Sequence, residues 1–279
     1  MLMTSKTQSH AEIPQGTVSA GKWMLNYGAV TDVGEKRAGN EDFYLLYPDR
    51  QLFVLADGMG GHAAGEVAAR LAAETVAAYF EEKDLPGPVP QDEEDQDLLS
   101  GHLLRALQIA NTSVFEEARH SEARQGMGTT LVVLTMHGDY AYWTHVGDSR
   151  IYVLREGSLG LITRDHSLLE EAILAQGLSH KEANEFRRAF PYRNILTQAV
   201  GTRREVEIEV HRMKVQPGDL FVMTSDGIHD LIGPSEIIRV LKRERQNLGC
   251  AARELVDRAN AAGGPDNSTA LLVGFDLAI

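Results

Sequence analysis

Cysteine is nearly absent from this sequence. Cys250 is the single thiol in 279 residues, which excludes an internal disulfide framework and suits a reducing cytoplasm. It has no Cys-x-x-Cys partner and falls at the start of a predicted helix over 250–262, so a small, partly buried residue is expected there rather than a nucleophile. Long apolar runs are missing too. No stretch of about 18 apolar residues occurs, so a membrane-spanning helix is not expected. The first 22 residues lack the charged start and apolar centre of a secretory signal; they read as a flexible N-terminal tail ahead of one folded unit over 23–279. Positive charge is scarce: 27 Lys and Arg stand against 40 Asp and Glu, a formal charge of -13. That argues against a nucleic-acid partner, since phosphate backbones are held by clustered cations. The expectation is a soluble, cytoplasmic monomer with no membrane contact.

Several familiar motifs are also missing. There is no G-x-S-x-G elbow, no G-x-x-x-x-G-K-[ST] phosphate loop and no EF-hand spacing, and no repeat of solenoid period. What is present is periodicity. Strands are predicted over 24–32, 43–47, 51–56, 129–136, 140–146, 150–155, 206–211, 219–224 and 268–275. Helices are predicted over 63–83, 98–122, 168–176, 181–188, 234–243 and 250–262. The short links 137–139 and 147–149 imply antiparallel neighbours. Segment 84–97, with three prolines and a run of acids, reads as a solvated loop, and 163–204 as an insert of short helical pieces that could form a lid. Blocks of strands and helix pairs suit an α+β layered sandwich, its sheets largely antiparallel and its helices outside, better than strict β-α-β alternation.

The informative pattern repeats. FVLADG ends at Asp57-Gly58, WTHVGDS at Asp148, VMTSDG at Asp226, and GGPDNS places Asp266-Asn267 before the final predicted strand. Any one of these is an ordinary turn acid. Four together, each where an apolar strand meets Gly or Asn, predict a carboxylate cluster that needs a cation. Oxygen-only ligation suits Mg²⁺ or Mn²⁺; with no cysteine pairs and few nearby histidines, zinc is disfavoured. Two such ions can lower the pKa of a bridging water and clamp a phosphoryl group. Arg37, five residues before Asp42, offers a fork for phosphate oxygens, and His62, five after Asp57, a proton for a leaving alkoxide. A rival stays open at Gly58-x-Gly60-x-x-Ala63, which fits a dinucleotide fingerprint, although Asp57 would place a carboxylate beside the pyrophosphate.

Taken jointly, R37-A-G-N-E-D42, D57-G-M-G-G-H62, G128-T-T130, V146-G-D-S-R150, T224-S-D-G227 and G263-G-P-D-N-S-T269 resemble the metal-dependent protein phosphatases, the PPM family or type 2C serine/threonine phosphatases, in compact bacterial form. The resemblance runs from about residue 24 to residue 276. It implies a four-layer αββα sandwich, a single catalytic domain over 23–279 with a variable flap at 163–204, and hydrolysis of phosphoserine and phosphothreonine by metal-activated water. It further implies two core Mn²⁺ or Mg²⁺ ions and a third, weaker one. By motif position Asp57 bridges the ions, Gly58 offers its carbonyl, Asp226, Asp266 and Glu41 complete the sites, and Asp148 with Asp226 holds the third ion. Arg37 would bind substrate phosphate and His62 protonate the leaving oxygen, with Asp42 and Asn267 standing behind the ligands. The implied partners are phosphoproteins, a bacterial Ser/Thr kinase or that kinase's substrates. His229 departs from the pattern, where a small or aromatic residue is expected.

Overall fold

The computed structural model describes residues 3–4, 13–60, 64–83, 93–120, 122–178 and 180–278. In chain order the elements are β1 (Met3–Thr4), β2 (Gln15–Ala20), β3 (Trp23–Asp32), β4 (Asp42–Tyr47), β5 (Leu52–Met59), α1 (Ala64–Glu82), α2 (Glu93–His120), β6 (Gly128–Thr129), β7 (Leu131–His137), β8 (Tyr140–Val146), β9 (Arg150–Arg155), β10 (Ser158–Leu161), α3 (Leu168–Gln176), α4 (His180–Ala189), β11 (Val210–Lys214), β12 (Leu220–Thr224), α5 (Asp226–His229), α6 (Pro234–Arg243), α7 (Leu248–Ala261) and β13 (Ser268–Leu277). No described helix is long and apolar enough to cross a membrane.

The strands form two sheets. One runs β1-β4-β5-β7-β8-β11, with β6 added on β5, and the other β10-β9-β12-β13-β3-β2. Every strand pairing is antiparallel. A dinucleotide fold requires parallel strands joined by a crossover helix, so the fingerprint reading of 58–63 is removed.

Side-chain alternation along each strand builds three cores. Along β7, Val132, Leu134 and Met136 point between the sheets to meet Leu25, Phe53, Phe221 and Phe275. Leu131 and Val133 point outward, onto Ala68, Val76, Leu103 and Leu107 of α1 and α2. On the far side Tyr152, Leu154, Val222 and Leu272 pack under Ile237 and Leu241 of α6 and Leu255 of α7. The order of layers is therefore helices, sheet, sheet, helices. Strands covered on both faces read as apolar runs such as LFVM rather than alternating ones, and each fully buried Leu or Phe in them stabilises by about 2 kcal/mol.

Several expectations change. Residues 15–20, assigned to the loose tail, form β2, which turns at Gly21-Lys22 to pair with β3 in register Ala20↔Trp23 to Gln15↔Gly28. Its half-exposed edge carries polar residues, which hid it. Helix α2 starts at Glu93, inside the segment expected to be loop, because acidic residues favour a helix start; residues 84–92 lie outside the described residues. The strand expected over 206–211 is β11 at 210–214: Val206 and Ile208 alternate because they pack on the α2 core, not because they pair. Cys250 is exposed rather than partly buried.

The link 147–149 does not join neighbours. β8 belongs to one sheet and β9 to the other, so Gly147-Asp148-Ser149 carries the chain across the sandwich. Gly147 adopts φ 103°, open to glycine alone among common residues. Its N–H donates to His166 Nδ1 at 3.2 Å and its carbonyl accepts from the His166 N–H at 3.0 Å. The segment 163–204 then forms a small core of its own, Leu169, Ile173 and Ala183 with Phe186 and Phe190, and Arg187 of α4 bonds Glu170 of α3 at 2.6 Å.

Candidate metal centre

Antiparallel pairing sets the end of one strand beside the start of the next. Asp42, first in β4, lies opposite Asp57 near the end of β5. Thr224, last in β12, lies opposite both Arg150 at the start of β9 and Ala270 near the start of β13. The acids that follow or precede these residues therefore share one edge of the sandwich. Glu41, Asp57, Asp148, Asp226 and Asp266 line a single cavity of 580 Å³ together with Arg37 and Gly58. The expectation of carboxylates gathered from distant strand ends is met. β5 continues through Met59, so Asp57 sits inside the strand rather than at its end.

The GTT motif fixes Asp57. Its N–H donates to Thr130 Oγ1 at 3.0 Å, and its carbonyl accepts from the Thr130 N–H at 2.8 Å and from Thr129 Oγ1 at 3.0 Å. The Thr130 hydroxyl also meets Ser149 Oγ at 2.7 Å, which couples Asp57 to the crossing that carries Asp148. Gly58 lies where no side chain fits: a Cβ there would stand 2.2 Å from the Gly65 carbonyl oxygen and 2.6 Å from that of Glu41. The carboxylate of Glu41 accepts from the Gly65 N–H, at the positive end of α1.

Asp42 and Asn267 do not line the cavity; they hold what does. Asp42 is 4% exposed and accepts on Oδ2 from Ser225 Oγ at 2.7 Å and from Thr269 Oγ1 at 2.6 Å. Asn267 Oδ1 accepts from the Glu41 N–H at 2.8 Å, while Nδ2 donates to the carbonyls of Val33 and Gly39, each at 2.9 Å. One buried carboxamide thus shapes the loop bearing both Arg37 and Glu41. Asn267→Ala strands three backbone groups, so it should cost about 2 kcal/mol of stability and lower turnover about tenfold or more through Glu41. Urea unfolding and steady-state kinetics check this; a variant unchanged in both would refute the role.

The electrostatics of the cavity are unbalanced. Burial, and then the neighbouring charges of Asp42, Asp226, Asp148 and Asp266, hold the Asp57 carboxyl well above its ordinary value. Asp226 is raised in the same way, by burial first and then by Asp148 and Asp266. Burial is also the main reason that Asp148 and Asp42 are pushed up to about 6 and that Glu41 is raised. Arg37 and Arg203 are the only cations among the described lining residues, and Arg37 is already paired with Asp266 at 2.7 Å. Among the described residues no three His, Cys, Asp or Glu side chains meet at chelating distance; the acids ring the cavity. An all-oxygen donor set and excess negative charge fit a hard divalent cation.

His62 lies outside the described residues. His229 is explained by its setting: its Nδ1 lies 2.9 Å from Thr224 Oγ1, and burial, then the charge of Arg150, holds the imidazole well below its usual pKa. Arg150, quoted above only within its motif, grips Asp165 with Nε at 2.9 Å and Nη2 at 2.6 Å. Thr129, Thr130 and Ser225 were likewise given no task in the sequence reading, although each lies inside a recognised motif.

Two antiparallel sheets, outer helix pairs and an acid-ringed cavity at one edge agree with what comparison shows. A family model described as protein phosphatase 2C matches residues 36–257. The chain belongs to the protein phosphatase 2C family. This phosphatase is 33% identical over 255 residues to the protein phosphatase PhpP of Streptococcus pneumoniae, an alignment that covers 90% of this chain and 98% of that one. The crystal structure of the serine/threonine phosphatase PstP/Ppp of Mycobacterium tuberculosis superposes with a TM-score of 0.77 at 31% identity, over 90% of this chain and 99% of the other. A structure of the PstP catalytic domain in complex with two manganese ions superposes at 0.75 and 31% identity, over 91% and 99%.

Proposed function

We propose that the acid-ringed cavity is the active site of a metal-dependent serine/threonine protein phosphatase. Asp57, the Gly58 carbonyl, Glu41, Asp226 and Asp266 hold two Mn²⁺ or Mg²⁺ ions, and Asp148 with Asp226 holds a looser third. Five carboxylates on one cavity, against two arginines, support this reading. Bound there, the ions supply a nucleophile from water at neutral pH and charge against the phosphoryl oxygens. The carboxylates of the cavity are assigned to the ions, and attack is by water directly, without a phosphoenzyme. Arg37, about half exposed, exchanges Asp266 for the phosphate and grips two of its oxygens. Asp42 and Asn267 keep Asp57 and Glu41 in place. His62 protonates the leaving seryl or threonyl oxygen, a role assigned by its sequence position. The partners are phosphoproteins, a Ser/Thr protein kinase or that kinase's substrates, met in the cytoplasm by a monomer.

Phosphate release from a phosphothreonine peptide in Mn²⁺ is the direct test; a folded protein that releases none refutes the reading. In the same assay His62→Ala should slow the peptide roughly 10²-fold or more. It should slow p-nitrophenyl phosphate, whose leaving group needs no proton, far less. Equal losses on both substrates would remove the general-acid role.

A further inference from the structure

The stretch 194–203 contributes part of the cavity lining, through Asn194, Thr197, Gln198, Thr202 and Arg203 among others, and brings no carboxylate to it. Its single charge is Arg203. The backbone beneath this residue is fastened at several points. Asn111 of α2, 2% exposed, donates from Nδ2 to the Arg203 carbonyl at 3.1 Å and to the Arg204 carbonyl at 3.0 Å, and accepts the Gly201 N–H on Oδ1 at 2.8 Å. Val200 and Thr129 exchange both of their backbone hydrogen bonds, at 3.0 and 2.9 Å. Arg203 is thus tied to the same motif that fixes Asp57.

The side chain contrasts with this base. The Arg203 guanidinium is exposed and makes no hydrogen bond or ion pair with any described residue, whereas Arg37 is engaged with Asp266. A charge rooted in fastened backbone and not spent on an internal partner is available to an external anion, and its backbone needs no ordering on binding. Of the two arginines that line the cavity, Arg37 is engaged among the acids that would hold the ions, and Arg203 is the one left for a negative group beside the phosphorylated residue.

We infer that Arg203 is a specificity-determining residue that grips an anionic side chain, a carboxylate or a second phosphate, flanking the phosphorylated Ser or Thr. The reading deepens the proposed phosphatase activity and rests on it. Arg37 serves the scissile phosphate, and Arg203 serves its neighbour.

The test compares phosphothreonine peptides that differ only in one flanking residue, scanned over three positions on either side: alanine, aspartate or phosphoserine. The wild type in Mn²⁺ should favour at least one anionic set over the alanine set by about three- to fivefold in kcat/KM, the size of one partly exposed charge contact. Arg203→Ala should bring that ratio to near one, and Arg203→Lys should restore part of it. Turnover of p-nitrophenyl phosphate should be the same in all three proteins. Loss in the aspartate arm identifies the anion as a carboxylate, and loss in the phosphoserine arm as a phosphate; either supports the assignment. A wild type without preference, a preference that survives Arg203→Ala, or an equal fall on every substrate overturns it. If instead the wild type releases no phosphate even from the alanine peptide, it is the phosphatase reading that fails.

Discussion

Asp57→Asn is expected to lower phosphate release from a phosphothreonine peptide by about 10³-fold or more, the scale on which removing a central charge from a metal or oxyanion site is felt. The main-chain N–H and carbonyl of Asp57 are held by the hydroxyls of Thr129 and Thr130 and by the Thr130 N–H, so exchanging one carboxylate oxygen for an amide leaves those bonds intact. The fold should survive. Without ions it should even gain, because burial and four neighbouring acids hold this carboxyl well above its ordinary value, and a neutral group of the same shape removes the repulsion. In EDTA at pH 7.5 the variant should therefore melt at or above the wild type, and in Mn²⁺ below it. A variant that melts low under both conditions has lost its fold, not a ligand. One that keeps full turnover in saturating Mn²⁺ would dismiss Asp57 as the central ligand.

The second large effect is the removal of divalent ions. EDTA should abolish turnover, Mn²⁺ should restore it, and stability should follow with a definite sign. Asp57 and Asp226 are raised well above the usual range, and Asp148 and Asp42 to about 6, in each case by burial first. A carboxyl raised on folding contributes stability that is fully present below its unfolded pKa, near 3.9, and lost as pH rises through its folded value. The metal-free protein should accordingly lose stability from about pH 4 through pH 6 and above. An ion bound at one hundred times its dissociation constant stabilises by about 2.7 kcal/mol, most where these carboxylates are ionised. Thermal melts at pH 5, 6 and 7.5, each with EDTA and with Mn²⁺, isolate the linked groups: the gap between the two curves should widen with pH. Parallel curves would mean that the ions bind elsewhere.

The fold was legible where one physical cause dominated. Tyr140–Val146 and Arg150–Arg155 among the strands, and Leu168–Gln176 and Pro234–Arg243 among the helices, end where turn or cap residues interrupt a clear apolar period. Legibility failed at edges. β2 and β10 are half exposed and carry a weak pattern, and short spacing could not reveal that β8 and β9 lie in different sheets, since that depends on one positive φ at Gly147. At the site, the acids announced themselves by recurrence. The hydroxyls of Thr130, Ser225 and Thr269 did not, because a serine or threonine near a strand end has many uses and only contact separates them. Arg203 was equally silent: an arginine in a polar loop looks like any solvated charge until Asn111, on a distant helix, is seen beneath it.

The position of β13 bears on when this molecule comes to exist during synthesis. It lies in the middle of its sheet, between β12 and β3, yet it follows every other described strand in the chain, and Asp266 and Asn267 lie directly before it. Until residues 268–277 have left the ribosome, β3 has no central neighbour, and the loop of Arg37 and Glu41 lacks the carboxamide that shapes it. A nascent chain therefore carries all six acids of the site, Glu41, Asp42, Asp57, Asp148, Asp226 and Asp266, before the sheet that gathers them is closed. The cavity is expected to form only once β13 has paired with both of its neighbours.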